Sequence, residues 1–298
     1  MVLVAFLAAC SGAPAGSPST SEQLRDDEIT IGSFDFSESV LLAEVYSQGL
    51  EVAGYKVRRA FELGPREFVG PALSAGLIEL VPEYAGTAAE FYSLGDADPR
   101  GDVGVTHAEL VAAVGGRPVS VLAAAPGQDA NTFVVTHATA ERLGVTTLSD
   151  LRPLAGELRF GGPPECPTRR LCLAGLADTY GLTFGTFVTL DAGGPLTHDA
   201  LRAGFVDVAL LLTTDPLIAQ DGLLELVDDR GLQPAESITP LVRTELIDHF
   251  GPGLAATIDA ISDRLSTAAV RELNGAAGRP GVEVSAVVAD WWSKVGSS

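Results

Sequence analysis

The sequence predicts an α/β fold, on three observations. Apolar runs of strand length alternate with runs of helical spacing from Glu28 to about Val227. Gly and Pro separate most of these runs, as turns between short elements require. Finally, 46% of the 298 residues are hydrophobic, enough for substantial cores and too many for a disordered chain. This length suits one large domain or two of ordinary size.

The first ten residues, MVLVAFLAAC, are almost wholly apolar and end in Leu-Ala-Ala-Cys. They are followed by SGAPAGSPSTSEQ, too rich in Pro, Gly and Ser to pack. Apolar residues ending in small ones read as a secretion signal, and this run is shorter than the ~20 residues a spanning helix needs. Leu7–Cys10 resembles the lipobox of bacterial lipoproteins, which implies acylation of Cys10. Residues 1–27 are therefore expected to be signal, lipid-anchor site and flexible tether. No Lys or Arg precedes the apolar run, which departs from an ordinary signal and raises the possibility of a truncated start.

Glu28–Ser33 (EITIGS) alternates as a first strand. Ser37–Gly54 then reads as a helix with a Ser cap and a terminal Gly. A strand over Lys56–Phe61, a helix over Pro65–Ala75 and a strand over Leu77–Val81 complete an opening βαβαβ series. A largely parallel sheet is the expected result. Further strands are predicted at Val119–Ala124, Thr132–Thr136, Glu157–Gly161, Thr186–Leu190, Val206–Leu212 and Leu223–Val227. From Pro252 the chain reads as two or three helices, the last carrying Trp291 and Trp292.

The formal charge of −20, with Lys56 and Lys294 the only lysines, excludes a nucleic-acid binder. No G-x-G-x-x-G, P-loop or G-x-S-x-G elbow is present. His107, His137, His198 and His249 lack metal-ligand spacing, so surface or capping roles are expected and neither metal nor cofactor is implied. Asp228-Asp229 reads as a solvated turn. Cys166 and Cys172, with five residues between them in PECPTRRLCLAGL, suit a small disulfide loop in an exported protein.

Several stretches, in order, resemble the glycine betaine/carnitine/choline-binding proteins of osmoprotectant ABC importers. They are GSFDFSE (Gly32–Glu38), PEYAGT (Pro82–Thr87), FGGPPE (Phe160–Glu165), GGPLTHDAL (Gly193–Leu201), VDVALLLTTD (Val206–Asp215), LVDDRG (Leu226–Gly231) and the closing LSTAAVRELNGAA. The resemblance covers about Ile29 to Trp292. It implies a two-lobed periplasmic-binding-protein-like (type II) fold with the ligand in the cleft between lobes. Lobe one would comprise 28–126 plus 239–298, and lobe two 127–238. Hinges would fall near Pro126-Gly127 and Pro240.

A quaternary ammonium has no N–H to donate, so aromatic faces must hold it, at ~0.5–2 kcal/mol per ring. A betaine carboxylate adds a need for Arg, Lys or hydroxyl donors. Carried over by the resemblance, Tyr84 is a box tyrosine and Thr87 a hydroxyl donor. Arg169 is the carboxylate-binding arginine, with Arg170 its rival by one register. Phe133, with Asn131 beside it, stands where relatives have another box tyrosine. Three positions depart from the family pattern: Phe34 replaces a Lys, Leu212 an aromatic and Glu236 a Tyr. Phe34 could supply a new aromatic wall, while Glu236 and Asp35 could meet an ammonium or hydroxyls.

The implied function is an exported, lipid-anchored, monomeric binding protein on the outer face of the cytoplasmic membrane. It would deliver a betaine, choline or related amine to ABC permease subunits. An alternative keeps fold and role but takes an aromatic or polyhydroxylated solute. A third possibility, an extracytoplasmic enzyme, needs a nucleophile–base pair that the sequence does not offer.

Overall fold

The computed structural model describes residues 27–97, 102–191 and 193–295. The expected signal and the lipidation site Cys10 lie outside them.

Two five-stranded sheets organise the chain. The strands are β1 (Glu28–Gly32), β2 (Lys56–Ala60), β3 (Leu80–Tyr84), β4 (Val119–Val121), β5 (Asn131–Thr136), β6 (Arg159–Gly162), β7 (Thr186–Thr189), β8 (Val208–Leu212), β9 (Leu223–Glu225) and β10 (Ile238–Arg243). One sheet runs β2-β1-β3-β10-β4 and the other β7-β6-β8-β5-β9. Each sheet has its own helices, giving two lobes with separate apolar cores.

The sheets are mixed, which corrects the expectation of a largely parallel arrangement. In lobe one β1 pairs parallel with β2 and β3, but β10 pairs antiparallel with β3 and β4. In lobe two β6 pairs parallel with β7 and β8, while β5 is antiparallel to β8 and β9. Successive βαβ units create the parallel part; the antiparallel strands are those that enter or return from the other lobe. The sequence reading missed β10, whose Pro240 removes a ladder donor. In register it faces Pro82, so neither proline leaves the other an unmet N–H.

The chain crosses between lobes twice, once between β4 and β5 and once between β9 and β10. These crossings run antiparallel and bond to each other. Gly127 O accepts from Ile238 N at 3.1 Å, Glu236 O accepts from Asp129 N at 3.0 Å, and Gln128 bridges Ser237. Gly127 also donates to Leu265 O at 2.7 Å. A Cβ at Gly127 would stand 2.5 Å from that oxygen, so the crossing packs there only because the residue is glycine.

Two strand ends aim residues into the space between the lobes. β3 buries all five residues and hands the chain to the helix Ala85–Tyr92, with Tyr84 at its N-cap. β1 is followed by a loop whose geometry is set by Ser39, which accepts the Phe34 N–H at 2.9 Å as the helix Ser37–Val52 begins.

Candidate functional site: the cleft between the lobes

Tyr84, at the end of β3, is buried and donates its hydroxyl to Glu38 Oε1 at 2.8 Å. Burial, and then the Glu38 charge, holds its phenol well above the ordinary value, so it remains a donor. The Phe36 ring lies 6.0 Å from that of Tyr84, at an interplanar angle of 32°. Behind Phe36 stacks Phe34, with centroids 5.8 Å apart. Phe36 is 43% exposed and lines the cleft, while Phe34 is 3% exposed and lies beneath the Arg66 guanidinium at 5.4 Å. The aromatic wall is thus Phe36 and Tyr84. Phe34, the residue singled out from the sequence, supports it from behind.

Glu236 reaches the other end of the same wall. Its carboxylate accepts from Gly86 N at 3.0 Å and Thr87 N at 3.0 Å, capping the helix Ala85–Tyr92 where orphan N–H groups and the helix dipole favour an anion. Gly86 makes this approach possible: a Cβ there would meet Pro234 Cβ at 2.7 Å and Glu236 Oε1 at 3.1 Å. Burial nevertheless pushes the Glu236 carboxyl up to about 7, against the lowering pull of the Thr87 N–H and Arg66. Arg66 makes a bidentate pair with Glu83, both bonds 2.9 Å, and donates to Thr87 Oγ1 at 3.0 Å. Its charge is therefore largely answered within lobe one.

Asp129, on the first crossing, accepts from Thr214 Oγ1 at 2.7 Å. Across the cleft, Asn131 begins β5 and donates to Leu171 O, which also accepts from Gln233 Nε2 at 3.0 Å. Leu212, at the end of β8, faces the opening. Together Phe36, Tyr84, Asp129, Asn131, Leu212 and Glu236 bound most of a cavity of about 290 Å3.

Two further cavities adjoin it. One, of about 390 Å3, shares Thr87, Asn131, Leu171 and Leu212 and extends to Arg169. Arg169 is exposed and, among the described residues, its guanidinium has no hydrogen bond or ion pair. Neighbouring Arg170 instead reaches Glu90 of lobe one at 3.2 Å. Both arginines lie in the loop closed by the Cys166–Cys172 disulfide, whose Cα atoms are 5.3 Å apart. The other adjoining cavity, about 630 Å3, carries Asp35, Glu38 and His198. Two larger grooves, of about 860 and 890 Å3, include none of the site residues named from the sequence.

Phe133 lies elsewhere. It is 1% exposed and packs on Phe160 at 6.0 Å in the lobe-two core, so the structure gives it a packing contact and no place on the cleft wall. His198 is neither a surface nor a capping residue. It is buried between Asp215 (Nε2, 2.7 Å) and Asp221 (Nδ1, 2.8 Å), a pair of acceptors that requires both ring nitrogens to carry protons. The Asp215 hydrogen bond leads in raising its pKa. Asp228 is also more than a solvated turn residue, since it accepts from the Tyr180 hydroxyl and from Leu232 and Gln233 N–H.

Sequence reasoning missed Phe36, Glu38, Arg66 and Asp129. Phe36 and Glu38 stand inside the GSFDFSE motif; Arg66 and Asp129 had no local signal. Among the described residues, no group of His, Cys, Asp or Glu is arranged to hold a metal, and no helix is long and apolar enough to cross a membrane.

The family profile described as the substrate-binding domain of ABC-type glycine betaine transport systems matches residues 27–294. The chain belongs to this family. The glycine-betaine-binding protein of Pseudomonas aeruginosa is 28% identical over 286 residues, 89% of this chain and 86% of the relative. The glycine betaine-binding protein YehZ of Escherichia coli is 25% identical over 278 residues, 90% of each. Among solved structures, one described as a glycine betaine/carnitine/choline ABC transporter superposes with a TM-score of 0.81 at 25% identity, over 89% of this chain and 98% of its own. As a substrate-binding domain of this family, the chain has the two-domain type II fold, and its role is to capture small solutes for an ABC importer.

Proposed function

We propose that this chain captures a quaternary amine, such as choline or a betaine, outside the cytoplasmic membrane and presents it to its importer's permease without chemical turnover. One observation carries the reading: the Phe36 and Tyr84 rings share a 290 Å3 cavity with the carboxylates of Asp129 and Glu236. Rings attract the methylated face of the cation through their quadrupole, and desolvated carboxylates supply the opposing charge. The paired crossings would act as the hinge, with lobes of 28–126 plus 239–298 and 127–238 closing on ligand. Tyr84, Thr87, Asn131, Glu236 and Leu212 would touch the ligand, with Asp35 at the rim and Arg169 receiving any distant anionic group. Acylation of Cys10 would keep the monomer at the membrane.

Isothermal calorimetry against choline, glycine betaine and carnitine tests this. At least one is expected to bind 1:1 with a Kd in the range of about 10 μM or tighter. No heat with any of them overturns the ligand class. A second reading, a larger non-betaine solute, is favoured by the adjoining 390 Å3 cavity, and by the fact that only two rings line the smaller one among the described residues. Binding lost in Glu236→Ala but kept in Tyr84→Ala would support that alternative.

A further inference from the structure

Resting on the reading of the cleft as an ammonium site, we propose that Asn274 is a positioning residue for ligand capture. It ties the Tyr84 ring, through Glu38, to the Thr214 carbonyl of the other lobe, so that the two sides of the site are set together when the lobes meet.

The helix Thr267–Ala277 packs on the lobe-one core through Val270 and Leu273. Thr267, Arg271 and Asn274 follow one another at i, i+4 and i+7 and share one stripe of this helix. All three reach beyond lobe one. Thr267 Oγ1 accepts from Gln128 N of the first crossing at 3.0 Å. Arg271 donates through Nε to Thr213 O at 3.0 Å and through Nη2 to Glu225 Oε1 at 2.9 Å, both in lobe two. Asn274 Nδ2 donates to Glu38 Oε2 at 2.5 Å and to Thr214 O at 3.3 Å. Next to Asn274, Gly275 leaves room for the lobe-two loop: a Cβ there would stand 3.0 Å from Pro216 Cβ.

Asn274 differs from the rest of the stripe in what it joins. Glu38 accepts from the Tyr84 hydroxyl with its other oxygen, at 2.8 Å, so one carboxylate connects Asn274 to the aromatic wall. Thr214 in turn donates its hydroxyl to Asp129 at 2.7 Å. Thr213 beside it is fastened to the first crossing, donating to Ala130 O at 2.9 Å and accepting from Ala130 N at 3.0 Å. The relay thus runs from Tyr84 through Glu38 and Asn274 to Thr214 and Asp129, and connects the ring side of the site to its carboxylate side. An amide suits the middle of this relay. Its two N–H groups satisfy two acceptors, and it brings no positive charge to oppose an arriving ammonium. The Thr214 bond is near the limit of reach, so parting the lobes breaks it and leaves Asn274 held by Glu38 alone. A ligand between Tyr84 and Asp129 therefore favours the latched arrangement, and the latch lowers the cost of assembling the site around that ligand.

Calorimetric titration of the purified protein with choline, beside thermal melts, tests this on single and double variants. Asn274→Ala should weaken choline binding by about tenfold. Asn274→Leu keeps the volume and the neutrality but supplies no donor, so it should lose as much. Tyr84→Phe keeps the ring and removes only the hydroxyl that Glu38 accepts. Because the relay is then already cut, adding Asn274→Ala to Tyr84→Phe should cost only about threefold or less. Gly275→Ala separates the latch from folding. Alanine is the better helix former, so the melting temperature should hold or rise, while pressure on Pro216 weakens choline binding by about threefold. Unchanged affinity in Asn274→Ala and Asn274→Leu, or losses that multiply in full in the double variant, overturns the proposal and leaves the amine-binding reading intact. If the Asn274 variants melt early, Gly275→Ala decides: a fall in affinity without a fall in melting temperature supports the latch, and unchanged affinity overturns it. No heat from choline or glycine betaine with the unsubstituted chain overturns both readings.

Discussion

Glu236 illustrates how a single carboxylate can serve stability and binding in opposite senses. Its folded pKa of about 7 lies above its ordinary 4.5, so the folded state holds a proton that the unfolded chain has lost. The associated stability is fully present below about pH 4.5 and is lost as pH rises through about 7, on the order of 3 kcal/mol. Glu236→Gln should flatten that stretch of the stability–pH profile, measured by urea unfolding at half-unit steps. Gly86→Ala pushes Glu236 off the helix N-terminus, since the added methyl would overlap Pro234. It should weaken amine binding by about tenfold or more and destabilise by ~1–3 kcal/mol, read by calorimetry and thermal melts. At this scale the sequence was partly legible. Tyr84 and Thr87 could be placed because PEYAGT marks a strand-to-helix junction. Phe36 could not be told from Phe34, because neither the period of a strand nor that of a helix governs the loop between Gly32 and Ser37. Asp129 was silent because its partner, Thr214, is distant in sequence and meets it only once the chain has folded back on the crossing.

The disulfide loop and β10 make the same point for elements. The Cys166–Cys172 bridge closes a loop of six residues and so removes unfolded-state freedom worth about 2 kcal/mol. That loop also supplies the Leu171 carbonyl that anchors Asn131 and Gln233. Replacing both cysteines by serine should therefore lower the melting temperature by several degrees and weaken ligand binding together. A melting shift with unchanged affinity would confine the bridge to stability. The cysteine spacing announced this loop, whereas nothing local announced Ile238–Arg243. A proline at its third position argues against a central strand until Pro82 appears opposite it. Alternation of strand and helix likewise revealed the α/β class but not strand direction. Direction depends on which strands return from the other lobe, a long-range property absent from any window of sequence.

For the molecule as a whole, the proposed closure makes a prediction about size. Small-angle scattering should show the radius of gyration falling by about 1 Å on saturating a bound amine, with no change in mass. Gly127→Ala, which sets a methyl against the Leu265 carbonyl, should destabilise by roughly 2 kcal/mol and blunt that contraction. The family motifs, spread from Gly32 to the final helices, made the two-lobed plan readable because several of them fall where strands end at the cleft.

The bond between the two crossings has a mechanical consequence. A pair of separate tethers would let the lobes twist and slide in several directions. Two antiparallel segments fastened at Gly127–Ile238 and Asp129–Glu236 bend as one ribbon, which favours rotation about a single axis. Asp129 and Glu236 belong to that ribbon, so charge is captured close to the pivot, whereas Arg170 and Glu90 meet away from it in the disulfide-loop cavity. A shift of a few tenths of an ångström beside the pivot is thereby magnified at the lips, as a short pull near a door's hinge swings its far edge.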